Sequence, residues 1–200
     1  MPIETPQPPD DALEAVRQSI ARRSPRRRGL RRGLGAPAPG ASVSAPQRVF
    51  TVGLGALAGE ASLADKASPT GWRFLVEEAA EPVAAAEVHD ATGAAVPAQI
   101  TEGQFVRSTA DGLRAAEALP AVEESAFELR LLRVPALNLV ALWLHAADSD
   151  DLFVPLEPAP APFEAHRSYP ESEFAEVAAE LASSSLERHR TAERPDELGA

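Results

Sequence analysis

The stretch from residue 126 to 146, AFELRLLRVPALNLVALWLHA, constrains the fold more than any other part of the chain. Pro135 has no N–H to give to a central ladder, so the run reads as two strands joined by a tight turn. In 127–133, Phe127, Leu129 and Leu131 share one face while Leu132 stands among charges on the other. In 137–144 both alternations are apolar: Leu137, Leu139, Ala141 and Trp143 on one side, Val140, Leu142 and Leu144 on the other. A strand that is apolar on both faces must be covered on both.

Flanking segments supply the rest of a sheet. RVFTVGL (48–54) alternates as a strand, and GWRFLVEE (71–78) sets Trp72, Phe74 and Val76 against Arg73 and Glu77, a half-buried pattern. PVAAAEVHD (82–90), the turn ATGAA and VPAQIT (96–101) complete an antiparallel meander, and DLFVPL (151–156) is a last strand. Helices are expected over 56–68, weakened by Gly59, and over 109–119, with Ser108 and Asp111 at capping-box spacing and Pro120 closing it. A third is expected over 170–182, where Ser168 and Glu171 form a capping box ahead of Phe174, Val177, Ala178 and Leu181. Adjacent strands interrupted by single helices imply an α+β fold: one curved antiparallel sheet of six to seven strands, with two to three helices mainly on one face. The helices at 109–119 and 170–182 would share that face. The other is left to the 56–68 segment, to a long loop, or to a second subunit in a homodimer built on Leu139, Ala141 and Trp143.

Charge divides the chain. Residues 1–32 hold eight arginines against Glu4, Asp10, Asp11 and Glu14, a net of +4. Residues 33–200 hold eleven basic and twenty-six acidic residues, a net of −15, and the two sum to −11. An arm over 1–46, rich in Arg, Pro, Ala and Gly, buries too little apolar surface to offset its ordering entropy and is expected to be disordered. Within it only 10–24, with Leu13, Val16 and Ile20 at helical spacing, is expected to form a transient turn or two. An α+β domain over 47–183 and a flexible tail over 184–200 follow. The arm writes Arg-Arg-Gly-Leu twice, at 27–34.

The chemistry-bearing residues are sparse. With no cysteine there are no disulfides, thiolate nucleophiles or Cys-based metal sites. None of His89, His145, His166 and His189 lies within four residues of another; His89 and His145, near strand ends, would have to converge across the sheet to share an ion. DSDD (148–151) lacks the glycine and distal glutamate of a calcium loop and reads as a solvated hairpin turn. GLRRGLGAPAPG is neither a dinucleotide fingerprint nor a P-loop, and no GxSxG elbow is present. No catalytic residue, metal or cofactor is expected, although Gln99, Glu102, Gln104 and Asn138 are available to line a concave cavity.

The uncharged run 134–144 is too short for a bilayer, which needs about 20 residues. The N-terminus shows no apolar signal region, so a cytoplasmic protein is expected, in a composition typical of high-GC bacteria. Together these features favour a non-catalytic adaptor or assembly component. It would dock to an acidic protein surface, with Arg27, Arg28, Arg31 and Arg32 supplying charge and Leu30 and Leu34 supplying contact. Nucleic acid is the less favoured polyanion, because the arm lacks aromatic residues for stacking and the body is acidic. The alternatives are a small-ligand-binding protein or minor enzyme using the sheet's concave face, and an exported effector or cargo whose basic arm is a loading signal.

Overall fold

The computed structural model describes residues 3–23, 41–57, 62–90 and 98–192. The break at Pro135 falls as its ring demands. Glu128–Val134 (β5) ends there, Pro135–Leu137 makes a 3₁₀ turn, and Asn138 at φ 50° leads into Leu139–His145 (β6). Before β5 come β1 (Ser42–Thr51) and the meander β2 (Ser68–Glu78), β3 (Glu81–His89) and β4 (Gln99–Thr101). After β6 come β7 (Leu152–Pro155) and β8 (Tyr169–Pro170). The described helices are α1 (Asp10–Arg23), α2 (Leu54–Leu57), α3 (Leu63–Lys66), α4 (Gln104–Glu117), α5 (Pro120–Glu124) and α6 (Glu171–Ala192).

The fold is α+β with one sheet, ordered β4-β3-β2-β1-β5-β6-β7-β8. It is mostly antiparallel, but two expectations change. The two-residue strand β8 makes eight strands, and β1 pairs with β5 in parallel, from Arg48↔Arg130 to Thr51↔Arg133. A parallel pair needs a long crossover rather than a hairpin. Here the meander leaves β1 on one side, and α4, which touches β3 at one end and β6 and β7 at the other, carries the chain back across the sheet.

That crossover also corrects the placement of the helices, which divide between the two faces. The front face carries Phe50, Leu132, Ala141, Trp143 and Phe153, covered by α2, α3 and α6 through Leu57, Leu63, Phe174, Ala178 and Ala182. The back face carries Val49, Leu129, Leu131, Leu142, Leu144 and Val154, covered by α4 and α5 through Ala116 and Val122. β6 is therefore sandwiched, which is what its double alternation required. β3 is sandwiched too: its buried Ala84 and Ala86 face front and Ala85 faces back, and such short side chains let a helix approach on either side.

Part of the expected arm is seated on the body. α1 lays Ala12, Val16 and Ile20 against Trp72, Phe74, Val76, Ala84, Ala86 and Ile100 on the front face. Glu4 bridges β5, its N–H donating to Phe127 O and its carbonyl accepting from Leu129 N, both at 2.8 Å. That slot is open because β1 is bulged between Ser44 and Gln47, with Ala45 at φ 44°, and begins pairing with β5 only at Arg48. β1 itself starts at Ser42, inside the stretch expected to be disordered.

Helix starts differ as well. α4 begins at Gln104 behind Gly103, so Ser108 and Asp111 lie within the helix rather than at its cap. Pro120 opens α5 rather than closing α4. At α6, the Glu171 carboxylate accepts from Leu63 N at 2.6 Å, tying α3 to the start of the longest of the described helices. No described helix is long and apolar enough to cross a membrane.

Candidate functional site

Arg27, Arg28, Leu30, Arg31, Arg32 and Leu34, the residues expected to dock a partner, lie outside the described residues. Leu139, Ala141 and Trp143, assigned to self-association, are covered from within the chain and at most 1% exposed. Trp143 stacks on Phe153 at 5.7 Å between centroids, Phe153 on Phe174 of α6 at 4.5 Å, and Phe50 meets Trp143 edge-on at 5.0 Å. Their apolar surface is covered within the chain, around Trp143 by Phe50 and Phe153, with α6 packed on Phe153 in the same cluster.

The histidines do not converge. Three strands separate β3, which ends at His89, from β6, which ends at His145. His145 instead meets Asp151, Nδ1 to Oδ1 at 3.0 Å. Asp151 is not a solvated turn residue: its buried carboxylate also accepts from Trp143 Nε1 at 2.6 Å and from Ala146 N at 2.9 Å. A carboxylate with that many donors closes the β6–β7 turn and fixes the indole. Asp148 and Asp150 are exposed, as a solvated turn requires.

Ser108 and His166 form a second pair, Oγ to Nε2 at 2.8 Å. The serine oxygen also accepts from Glu157 N at 2.6 Å, and His166 N donates to Pro155 O. With Ser108 buried and already bonded to the backbone, the pair pins the proline-rich connector between β7 and β8 onto α4. Gln99, Glu102, Gln104 and Asn138 are all exposed and sit on β4, at the start of α4 and in the β5–β6 turn, so they do not gather round one cavity. No group of three metal-ligating side chains occurs among the described residues.

Two further polar arrangements involve β1. On the front face, Arg48 and Arg130 are register neighbours. Arg48 reaches Asp90 through both terminal nitrogens and lies over Trp72; Arg130 reaches Glu128 and lies over Phe50 and Trp143. Each cation thus has its carboxylate and an aromatic surface.

The back face is different. Gln47, Arg73 and Glu87 stand in one cross-strand row on β1, β2 and β3. Arg73 was expected on an outward face, but α4 closes over that side, through Val106 on Leu75 and Ala85, and Arg73 is 2% exposed. Arg133 of β5 donates to Glu87 Oε1, and Arg73 Nε approaches the same oxygen at 3.7 Å. Burial lowers the Arg73 guanidinium to about 10, against the pull of Glu87 and with the help of Arg133. Both amide atoms of Gln47 and the Nε atoms of Arg73 and Arg133 are buried without a hydrogen-bond partner among the described residues. Sequence patterning misses this cluster because the covering element is distant in the chain. The only local trace is a charged residue amid Trp72, Phe74, Leu75 and Val76.

Comparison with family models, with curated proteins and with solved structures found no match to the chain.

Proposed function

We propose that the chain is an adaptor that docks to an acidic protein surface through the arginine-rich segment between α1 and β1. The observation that supports this is where the positive charge lies. Residues 22–32 contain seven arginines and no carboxylate, while residues 33–200 carry a net −15. The run begins on the last turn of α1, which is packed on the sheet, and the chain re-enters the sheet at Ser42. Tethering both ends to a folded body limits the entropy lost when the segment engages a partner. Arg27, Arg28, Arg31 and Arg32 steer the encounter, and Leu30 and Leu34 add apolar contacts that a phosphate backbone would not use. Self-association through Trp143 has no part in this proposal.

The test is fluorescence anisotropy of the full chain with a labelled Asp/Glu-rich peptide and, separately, a DNA duplex of matched charge. Replacing Arg27, Arg28, Arg31 and Arg32 by Gln should weaken peptide binding roughly tenfold or more, since several charge pairs are lost together. Leu30→Ser with Leu34→Ser should weaken it further without altering the salt dependence. Tighter binding of DNA than of peptide, or a quadruple variant that binds as well as the parent, defeats the assignment.

A further inference from the structure

The back-face cluster has more hydrogen-bonding capacity than the described residues use. Buried polar groups are paired in the great majority of folded proteins, and each exception calls for an explanation. Among the described residues, four of the five atoms left without a partner share one patch: those of Gln47, fully buried, of Arg73, next to it in cross-strand register, and of Arg133, joined to Arg73 through Glu87; the fifth, Trp72 Nε1, lies on the front face. Two guanidiniums face one carboxylate, which leaves the cluster with a formal +1. The downward displacement of Arg73 has the same origin, a cation withdrawn from water and only partly compensated.

The unused groups form a specific set. Arg73 Nε and Arg133 Nε each offer one N–H, and the Gln47 amide offers two, giving four donors and one acceptor, Gln47 Oε1. Exchanging the amide nitrogen and oxygen of Gln47 leaves this inventory unchanged. A hydrogen phosphate group has the complementary set, with unprotonated oxygens to accept and one P–OH to donate. A sulfate would accept from the same donors and leave the Gln47 oxygen unpaired. The entrance lies at Arg133, whose side chain is 25% exposed while Glu87 is 11% exposed. Arginine is suited to this task because its fixed fork matches tetrahedral oxyanions.

We propose that Gln47, Arg73 and Arg133, with Glu87 holding the two arginines, form a binding site for a small hydrogen-phosphate-bearing anion between α4 and the sheet. The site does not depend on the arginine-rich segment, and the experiment separates the two. The full chain is titrated with inorganic phosphate by calorimetry. Its melting temperature is then followed in sodium phosphate, sulfate and chloride at matched ionic strength. A saturable rise in Tm specific to phosphate is expected. Arg133→Gln, at the partly exposed position, should weaken phosphate binding at least tenfold. Gln47→Leu should remove the preference for phosphate over sulfate, and its own melting curve reports whether the fold survives. The variant with Arg27, Arg28, Arg31 and Arg32 replaced by Gln should retain phosphate binding. If that variant loses binding while Arg133→Gln keeps it, the anion belongs to the arginine segment and the proposal fails. A phosphate response no larger than that of chloride overturns it as well, and equal response to sulfate and phosphate overturns the hydrogen-phosphate assignment.

Discussion

At the scale of single residues, the buried charges set the largest expected effects. Glu87 is shared by two guanidiniums, so Glu87→Gln leaves both in a low-dielectric setting without a counter-charge. Breaking a buried pair in this way costs about 3–5 kcal/mol, readable by urea denaturation. Arg73→Met should be far milder, or even stabilising, because it leaves the Arg133–Glu87 pair intact and removes an imperfectly compensated cation. The sign of the pH dependence follows. The folded chain holds the Arg73 proton less tightly than the unfolded chain does, so this group's penalty is constant at neutral pH. It diminishes as pH rises through about 10 toward the ordinary arginine value. Arg73→Met should lack that upward component in alkaline denaturation curves. Asp151→Ala strands Trp143 Nε1 and Ala146 N together, and loss of about 1–3 kcal/mol per stranded group is expected. At Gly71 of β2 a side chain has no room: an added Cβ would lie 2.1 Å from Val88 O, a backbone atom that cannot step aside. Its strand signal, GWRFLVEE, reveals nothing of that constraint.

At the scale of elements, α1 and α6 perform the same task at opposite ends of the front face. α6 seats Phe174 on Phe153 and Phe163, and Phe174→Ala should cost about 3–5 kcal/mol of folding stability. α1 covers Trp72, Phe74 and Val76. Val16→Ala should cost roughly 2 kcal/mol. Removal of residues 1–23 should expose that patch, lower Tm and produce dye binding typical of uncovered apolar surface. An unchanged Tm after that deletion would show that α1 is dispensable to the core. The helical spacing of Leu13, Val16 and Ile20 was legible in the chain, but the partner that makes α1 stable was not. A helix of this length is marginal alone, and what stabilises it is the face of a sheet whose nearest strand in sequence, β1, begins at Ser42.

At the scale of the whole molecule, charge is segregated along the chain, with the positive run between two seated elements and the negative charge spread over the body. Binding of the acidic peptide should weaken as salt rises toward physiological strength, where the Debye length is about 8 Å. The quadruple arginine variant should show a shallower salt slope. The edge strands of the sheet, β4 and β8, are three and two residues long, and such short edges offer little ladder to another chain.

What the amino-acid sequence determined alone were features governed by near neighbours. They include the break at Pro135, the double burial demanded by 137–144, the meander 71–101, the existence of helices around 109–119 and 170–182, and the separation of charge. Each depends on side-chain period or turn chemistry within a few residues. Only the tertiary structure decided that β1 and β5 run parallel, that α4 and α6 lie on opposite faces, that Trp143 is enclosed within the front-face core, and that Arg73, Glu87 and Asp151 are buried. These outcomes turn on which distant element covers a given face. That choice is made by summed packing and desolvation over contacts far apart in the chain, and no local pattern records it.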